Sequence, residues 1–404
     1  MRYGYKVIDS DTHFQAAVES IMPYLKGTAI ESRIPEFEQA MVPIRTGRAG
    51  QKLSEPYRHN FRFGRSEEGG GWAGEGPRTL GTVGKATAER QFQQFMGSRY
   101  PTVGTEDHMP DVRVREMDEE GTDVHIMVAN AVGGNHPELD VARIFRDATH
   151  RYINDTCNKY PTRLKSMIQV SAGDVEGALT EMKKWADADW AVAVQVSMPR
   201  GMPVDHPDLE PIWAQAQEQG VTVVHHSGAS GYPGERDLWD NPFLGRLASH
   251  PWGAMRFLGA LIGAGVMDRY PKLHVAVLEC GFGWLPFWAR RMDDQVHYMG
   301  YVNPDLKKTM WEHMTSGRFF ASIVLHEGGD MVKMVNQMMG PGVLMFSSDY
   351  PHAESRFPDS VDIGASWELD EATARKIFWE NAATCFGLDE NGHRIGLAQR
   401  AISA

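Results

Sequence analysis

The chain has 404 residues, 42% of them hydrophobic, which is ample for a large core and allows either two or three domains or one inserted α/β barrel. Its 53 acidic and 41 basic side chains leave a formal charge of −12 with no long basic run, which argues against nucleic acid or an anionic membrane as partner. Three cysteines, Cys157, Cys280 and Cys385, lie far apart without a CxxC spacing, which suits a reducing cytosol and a cytoplasmic location rather than a disulfide scaffold.

Met1-Arg2-Tyr3-Gly4 runs into the first expected strand, 5–11, with no signal-like apolar region, and no uninterrupted apolar run is long enough to span a membrane. That strand leads into Asp11-Thr12-His13. Residues i and i+2 of a strand share a side, so Asp11 and His13 can converge on one ion. From about 14 to 110 no strand is expected, and 64–77 is too rich in glycine to pack regularly. An insertion at that point belongs on the catalytic face of a barrel, as a substrate lid, a subunit-contact arm or a plain surface loop.

Further strands are expected at 123–129, 166–171, 191–197, 221–226, 273–279, 319–324 and 343–348. Several are almost wholly apolar, as in a parallel sheet covered by helices. Between them Val141, Ile144, Phe145, Ala148 and Tyr152 mark one face of a helix, and the acidic start of Asp370-Glu371 marks a helix N-terminus. Alternating β and α elements predict a parallel α/β fold, and eight strands favour a single-domain (β/α)8 barrel over 1–404, with the insertion after its first strand. In a closed parallel barrel the first and last strands are neighbours, so Asp349 can reach the same ion as Asp11 and His13.

Other strand ends carry further candidates. The fifth ends in His225-His226, of which only one can enter the barrel mouth. His226 is favoured as the ligand and His225 as a buried core histidine. The sixth ends in Glu279, costly to bury unless paired, protonated or metal-bound, and so a candidate base or an extra metal ligand. Cys280 reads as a small buried residue. Asp349 can bind metal, move a proton, or both. Arg200 is a candidate clamp for a substrate carboxylate; His250, Trp284 and His352 are further candidate substrate contacts. His326-Glu327 lacks the second histidine of HExxH because position 330 is Asp. Gly281-Phe282-Gly283 and Gly228-Ala229-Ser230-Gly231 fail as a dinucleotide turn and a nucleophile elbow.

At these residues the chain resembles the amidohydrolase superfamily, in the branch of aminocarboxymuconate-semialdehyde decarboxylase and related aromatic-acid decarboxylases. The resemblance runs through most of the chain, at 7–13, 115–125, 265–273, 347–352 and 380–388. It implies a distorted (β/α)8 barrel, frequent homodimers and one or two divalent ions, zinc first, with iron or manganese as alternatives. It also implies Asp11 and His13 as first-strand ligands, His226 or His225 as the fifth-strand ligand and Asp349 as the eighth. Two departures stand out. Asp11 holds a place usually taken by histidine or glutamate. Glu279 replaces the histidine that the decarboxylases carry after the sixth strand, with Trp284 inserted before Leu285-Pro286. A carboxylate there suits hydrolysis, in which the ion acidifies a water and polarises a carbonyl. The expected function is therefore a metal-dependent hydrolase of a small ester, thioester, amide or lactone. The alternatives are a non-oxidative decarboxylase of an aromatic or unsaturated acid and, in a different class, an inactive barrel that serves in binding.

Overall fold

The computed structural model describes residues 2–14, 18–43, 59–61, 109–129, 132–134, 136–198, 202–226, 242–352 and 355–396. Eight parallel strands form one sheet in sequence order: β1 (Ile8–Phe14), β2 (Val124–Ala129), β3 (Leu164–Ser171), β4 (Ala191–Ser197), β5 (Thr222–His226), β6 (Val275–Leu278), β7 (Phe319–Ser322) and β8 (Leu344–Met345). The sheet closes on itself. Ser10 N–H donates to the Phe346 carbonyl at 3.0 Å, and Asp349 N–H to the Asp11 carbonyl at 3.0 Å. His13 N–H donates to Tyr350 at 2.6 Å.

The crossovers carry α1 (Pro110–Glu120), α2 (Leu139–Cys157), α3 (Val175–Lys184), α4 (Glu210–Gln219), α5 (Pro242–Leu261), α6 (Leu285–Met299) and α7 (Gly328–Met339). Each buries an apolar face against the outside of the sheet, so outward strand residues such as Val223 and Val277 join the main core. Inward residues such as Ile8, Ile126, Met167, Val224 and Phe320 fill the barrel as a separate cluster. That cluster is sealed at one end by α8 (Asn381–Phe386). Its Ala382, Cys385 and Phe386 pack against the inward set, and the Cys385 carbonyl accepts from Thr222 Oγ1 at the start of β5. The starts of the strands are thus closed by apolar packing, and their ends are left for polar side chains. No helix among the described residues is long and apolar enough to cross a membrane, and all three cysteines are buried and outside any disulfide.

The eight expected strands are all present, the one at 191–197 with the expected bounds and the others with shifted ends. β1 starts and ends three residues later than expected, so Asp11 and His13 lie inside it rather than at its exit. The 343–348 strand is regular only over Leu344–Met345. The insertion holds what the sequence pattern did not indicate, a three-residue antiparallel pair of Met41–Pro43 with His59–Phe61 and helices Val18–Ile21 and Ile34–Gln39. Strands this short have too few residues to establish an alternation. The glycine-rich 64–77 lies outside the described residues.

α1 ends on Gly121 at φ 90°, where a Cβ would stand 2.6 Å from the Arg2 side chain, so glycine is required there. The last helical residue, Glu120, is fully buried. Burial pushes its carboxyl from an ordinary 4.5 up to about 7, against the opposing pull of Ser360 and Arg2. A raised carboxyl value means that the stabilising contribution is complete below pH 4.5 and is lost as pH rises through 7. Glu120→Gln should remove that loss. In urea unfolding at pH 8 the variant should exceed the parent by on the order of 3 kcal/mol, and by little at pH 4.5. Equal pH slopes for the two proteins would contradict this.

Candidate metal centre

The site begins with an irregularity in β1. Asp9 pairs with His125 and Thr12 with Met127, so β1 carries one more residue than β2 over that interval. Ile8 faces the barrel interior. Strict alternation from it would send Ser10 and Thr12 inward. The extra residue re-phases the strand, a common use of a bulge beside a site. Ser10 Oγ then donates to the Phe346 carbonyl at 2.8 Å and Thr12 Oγ1 to the Ile126 carbonyl at 3.1 Å, while Asp11 and His13 face the mouth. On β5 plain alternation suffices. His226 follows Val224 inward, and His225 turns outward to stack on Phe257 at 5.0 Å between centroids. Burial, with His226 adding to it, pushes His225 down to about 3, so it is a neutral core side chain.

The two remaining carboxylates enter by backbone strain. β6 ends on the inward Leu278, so the next residue would face outward, yet Glu279 adopts φ 53° and turns into the mouth. Asp349, beyond β8, has φ 61°. Left-handed backbone at a non-glycine residue costs roughly 1–3 kcal/mol and persists only where its surroundings enforce it, characteristically at functional sites. His13 Nε2 then lies 2.9 Å from Asp349 Oδ1, 3.7 Å from Asp11 Oδ1 and 3.8 Å from Glu279 Oε2. His226 Nε2 lies 3.4 Å from Asp11 Oδ1 and 3.2 Å from Glu279 Oε2. His250, within α5, places Nδ1 3.6 Å from Glu279 Oε1. His352 sets Nδ1 2.8 Å from Asp349 Oδ1 and stacks on His13 at 3.7 Å.

Asp11, His13, His226, Glu279, Asp349, His250 and His352 therefore lie together at the mouth, and His225 does not. Trp284 is turned to its own loop, its indole N–H donating to the carbonyls of Cys280 at 2.8 Å and Gly281 at 3.1 Å. Cys280 is buried with Sγ donating to the Leu278 carbonyl. Arg200 lies outside the described residues.

Arg113 was missed. This buried guanidinium donates to the His13 carbonyl, sits 3.3 Å from His125 Nδ1 and lies over the Tyr350 ring. It ties β1 to the segment after β8. The spacing Arg113–Met117–Glu120, one buried face of α1, was the available signal. Asp9, Glu120 and His125 also lie together behind β1. The Arg113 charge beside His125 makes that group unfit for a cation, and burial, then Arg113, holds the imidazole well below its ordinary range.

The residues at the mouth fit a divalent ion. Asp11 is fully buried, and neither of its carboxylate oxygens accepts a hydrogen bond from a described residue. A buried carboxylate is stable only when paired, protonated or metal-bound. Two histidines and two carboxylates form a mixed nitrogen and oxygen donor set suited to manganese, iron or zinc.

A protein-family profile described as Amidohydrolase matches residues 8–388. Among solved structures, the chain is similar to 5-carboxyvanillate decarboxylase from Novosphingobium aromaticivorans DSM 12444, complexed with manganese and 4-hydroxy-3-methoxy-5-nitrobenzoic acid. The two are 21% identical, with 96% of this chain and 97% of that one covered, at a TM-score of 0.63. Similarity extends to 2,6-dihydroxybenzoate decarboxylase from Rhizobium, at 16% identity, 95% and 98% coverage and a TM-score of 0.63. An amidohydrolase from Mycobacterium avium subsp. paratuberculosis K-10 matches at 18% identity, 95% and 100% coverage and a TM-score of 0.67. These likenesses establish the barrel.

Asp11→Asn tests the fit without an assay of turnover. Replacing the buried carboxylate by its neutral isostere should raise the melting temperature of the metal-free protein by a few degrees and abolish the stabilisation that added manganese gives the parent. A manganese-induced rise equal to the parent's would exclude Asp11 as a ligand.

Proposed function

We propose, since the chain belongs to the amidohydrolase family, that it is a divalent-metal-dependent carboxy-lyase that removes carbon dioxide from a small aromatic or unsaturated carboxylic acid. Asp11, His13, His226 and Asp349 would hold the ion. Manganese is the favoured metal, supported by the manganese-bound relative and by a donor set half made of carboxylates. When bound, the ion supplies the positive charge that offsets those carboxylates and grips an anionic oxygen of the substrate. Loss of carbon dioxide leaves an electron pair on the carbon that carried the carboxylate, and that carbon must receive a proton. Glu279, reaching between His226 and His250, is the group proposed to deliver it. His352 fixes Asp349 Oδ1 and covers one face of the His13 ring.

The observation that carries this reading over hydrolysis is that two solved barrels that align over at least 95% of this chain are decarboxylases, one of them complexed with manganese. The sequence pattern had favoured hydrolysis on the strength of Glu279, and that residue keeps hydrolysis as the second reading: a carboxylate beside a metal also suits the activation of water. A non-catalytic binding barrel is the weakest reading, because binding alone gives no reason for two carboxylates held in left-handed backbone. Assembly as a homodimer belongs to the same proposal. α6 exposes Phe287 and Tyr298 on one face and Met299 at its end, followed by exposed Tyr301 and Val302.

One preparation separates the two chemistries. With manganese-loaded protein, aromatic and unsaturated acids should release carbon dioxide and, in deuterated water, take deuterium at the carbon that lost the carboxylate. Incorporation of labelled water oxygen into the products of esters, thioesters, amides or lactones, without carbon dioxide, would reverse the choice. Glu279→Gln keeps the shape of the side chain and should lower turnover by roughly 100-fold with the metal retained.

A further inference from the structure

We infer that Glu327, on the loop after β7, is a positioning residue that holds Glu279 in the mouth. The inference rests on the reading of Glu279 as the proton-handling carboxylate. Nothing in the local sequence of Glu279 favours φ 53°, so the conformation must be imposed by what surrounds it. Its own N–H donates to Ser322 Oγ at 3.0 Å, which fastens the residue to the end of β7. Beyond it the chain turns again at Gly281, φ 70°, and the two amides that follow are both taken by one carboxylate. Phe282 N–H lies 3.2 Å from each oxygen of Glu327, and Gly283 N–H donates to Oε2 at 2.8 Å.

The approach is close. A Cβ at position 281 would stand 2.4 Å from Glu327 Oε1, so the turn is shaped around that carboxylate. The carbonyls of Cys280 and Gly281 accept from the Trp284 indole N–H. Glu279 is therefore carried by a loop whose backbone is tied at 279, 280, 281, 282 and 283. Among these ties, only Glu327 supplies a charge-assisted contact. Glu327 touches none of Asp11, His13, His226 or Asp349 in this structure, so it bears on the proton-handling group and not on the metal ligands.

The plain alternative is that Glu327 merely caps α6, whose first residue is Leu285, through amides near its positive end. Crystal structures of manganese-loaded Glu327→Ala and Glu327→Gln, with metal content and melting temperature measured on each, separate the two roles. In Glu327→Ala, Glu279 should leave His226, opening the 3.2 Å contact beyond hydrogen-bond reach, while manganese content equals the parent's. Glu327→Gln keeps the size but loses one of the two acceptor oxygens, and should displace Glu279 in part; it also serves if the alanine variant does not fold. Glu279 at its parental position in either folded variant, even with a lowered melting temperature, overturns the inference and leaves a helix cap. With the acid that the carbon dioxide screen returns, displacement should lower kcat by about tenfold or more with KM little changed. Displacement with unchanged turnover would uphold the positioning role and remove Glu279 from the chemistry, so the two failures are distinguishable.

Discussion

Everything at the mouth depends on the seam where β1 meets the segment after β8. Three backbone hydrogen bonds, from Ser10 to Phe346, Asp349 to Asp11 and His13 to Tyr350, close the sheet there. They join residues from opposite ends of the chain that carry Asp11, His13 and Asp349. The same seam is braced from behind. Asp9 accepts from both Ser348 N–H and Ser348 Oγ, and Arg113 grips the His13 carbonyl while lying over Tyr350. A parallel barrel can satisfy its edge strands only by closing, so the backbone demand for hydrogen bonds and the assembly of the cluster are met by one event.

The second constraint is charge. Asp11, Glu279 and Asp349 are all buried and share a space a few ångströms wide with His13 and His226. Such a group of carboxylates repels itself in the absence of a cation, and hydrophobic burial cannot compensate for it. The fold meets this cost at its polar end while the opposite end is sealed by Ala382, Cys385 and Phe386. Stability resides in the packed end and reactivity in the charged one, the usual division of an α/β barrel.

The proposed proton-handling arm and the proposed ligand set are built from different parts of the scaffold. The proposed ligands sit on β1 and β5 and on the segment beyond β8, which the closed sheet holds. Glu279 instead stands on a short loop between β6 and α6, tied to the β7 region through Ser322 and Glu327. On the proposed roles, changes in that loop would alter which proton transfers are possible while the metal pocket stays intact. One barrel architecture can in this way host different chemistries through its loops.

The amino-acid sequence by itself determined the barrel, because alternation of apolar strands with amphipathic helices is a local pattern. It also singled out Asp11, His13, His226, Glu279 and Asp349, because a polar or charged side chain closing an apolar strand is costly to bury unless an ion or a partner meets it. The two-residue period of a strand separated His226 from His225. Only the tertiary structure decided how these groups meet. The extra residue in β1 and the left-handed turns at Glu279 and Asp349 are imposed by neighbouring strands and loops, and composition carries no trace of them. Arg113 and Glu327 escaped for the same reason: each reads as an ordinary charged side chain until a partner distant in sequence is folded against it. Local periodicity is set by the residues themselves, whereas register, strain and long-range ion contacts are set by the closure of the whole sheet.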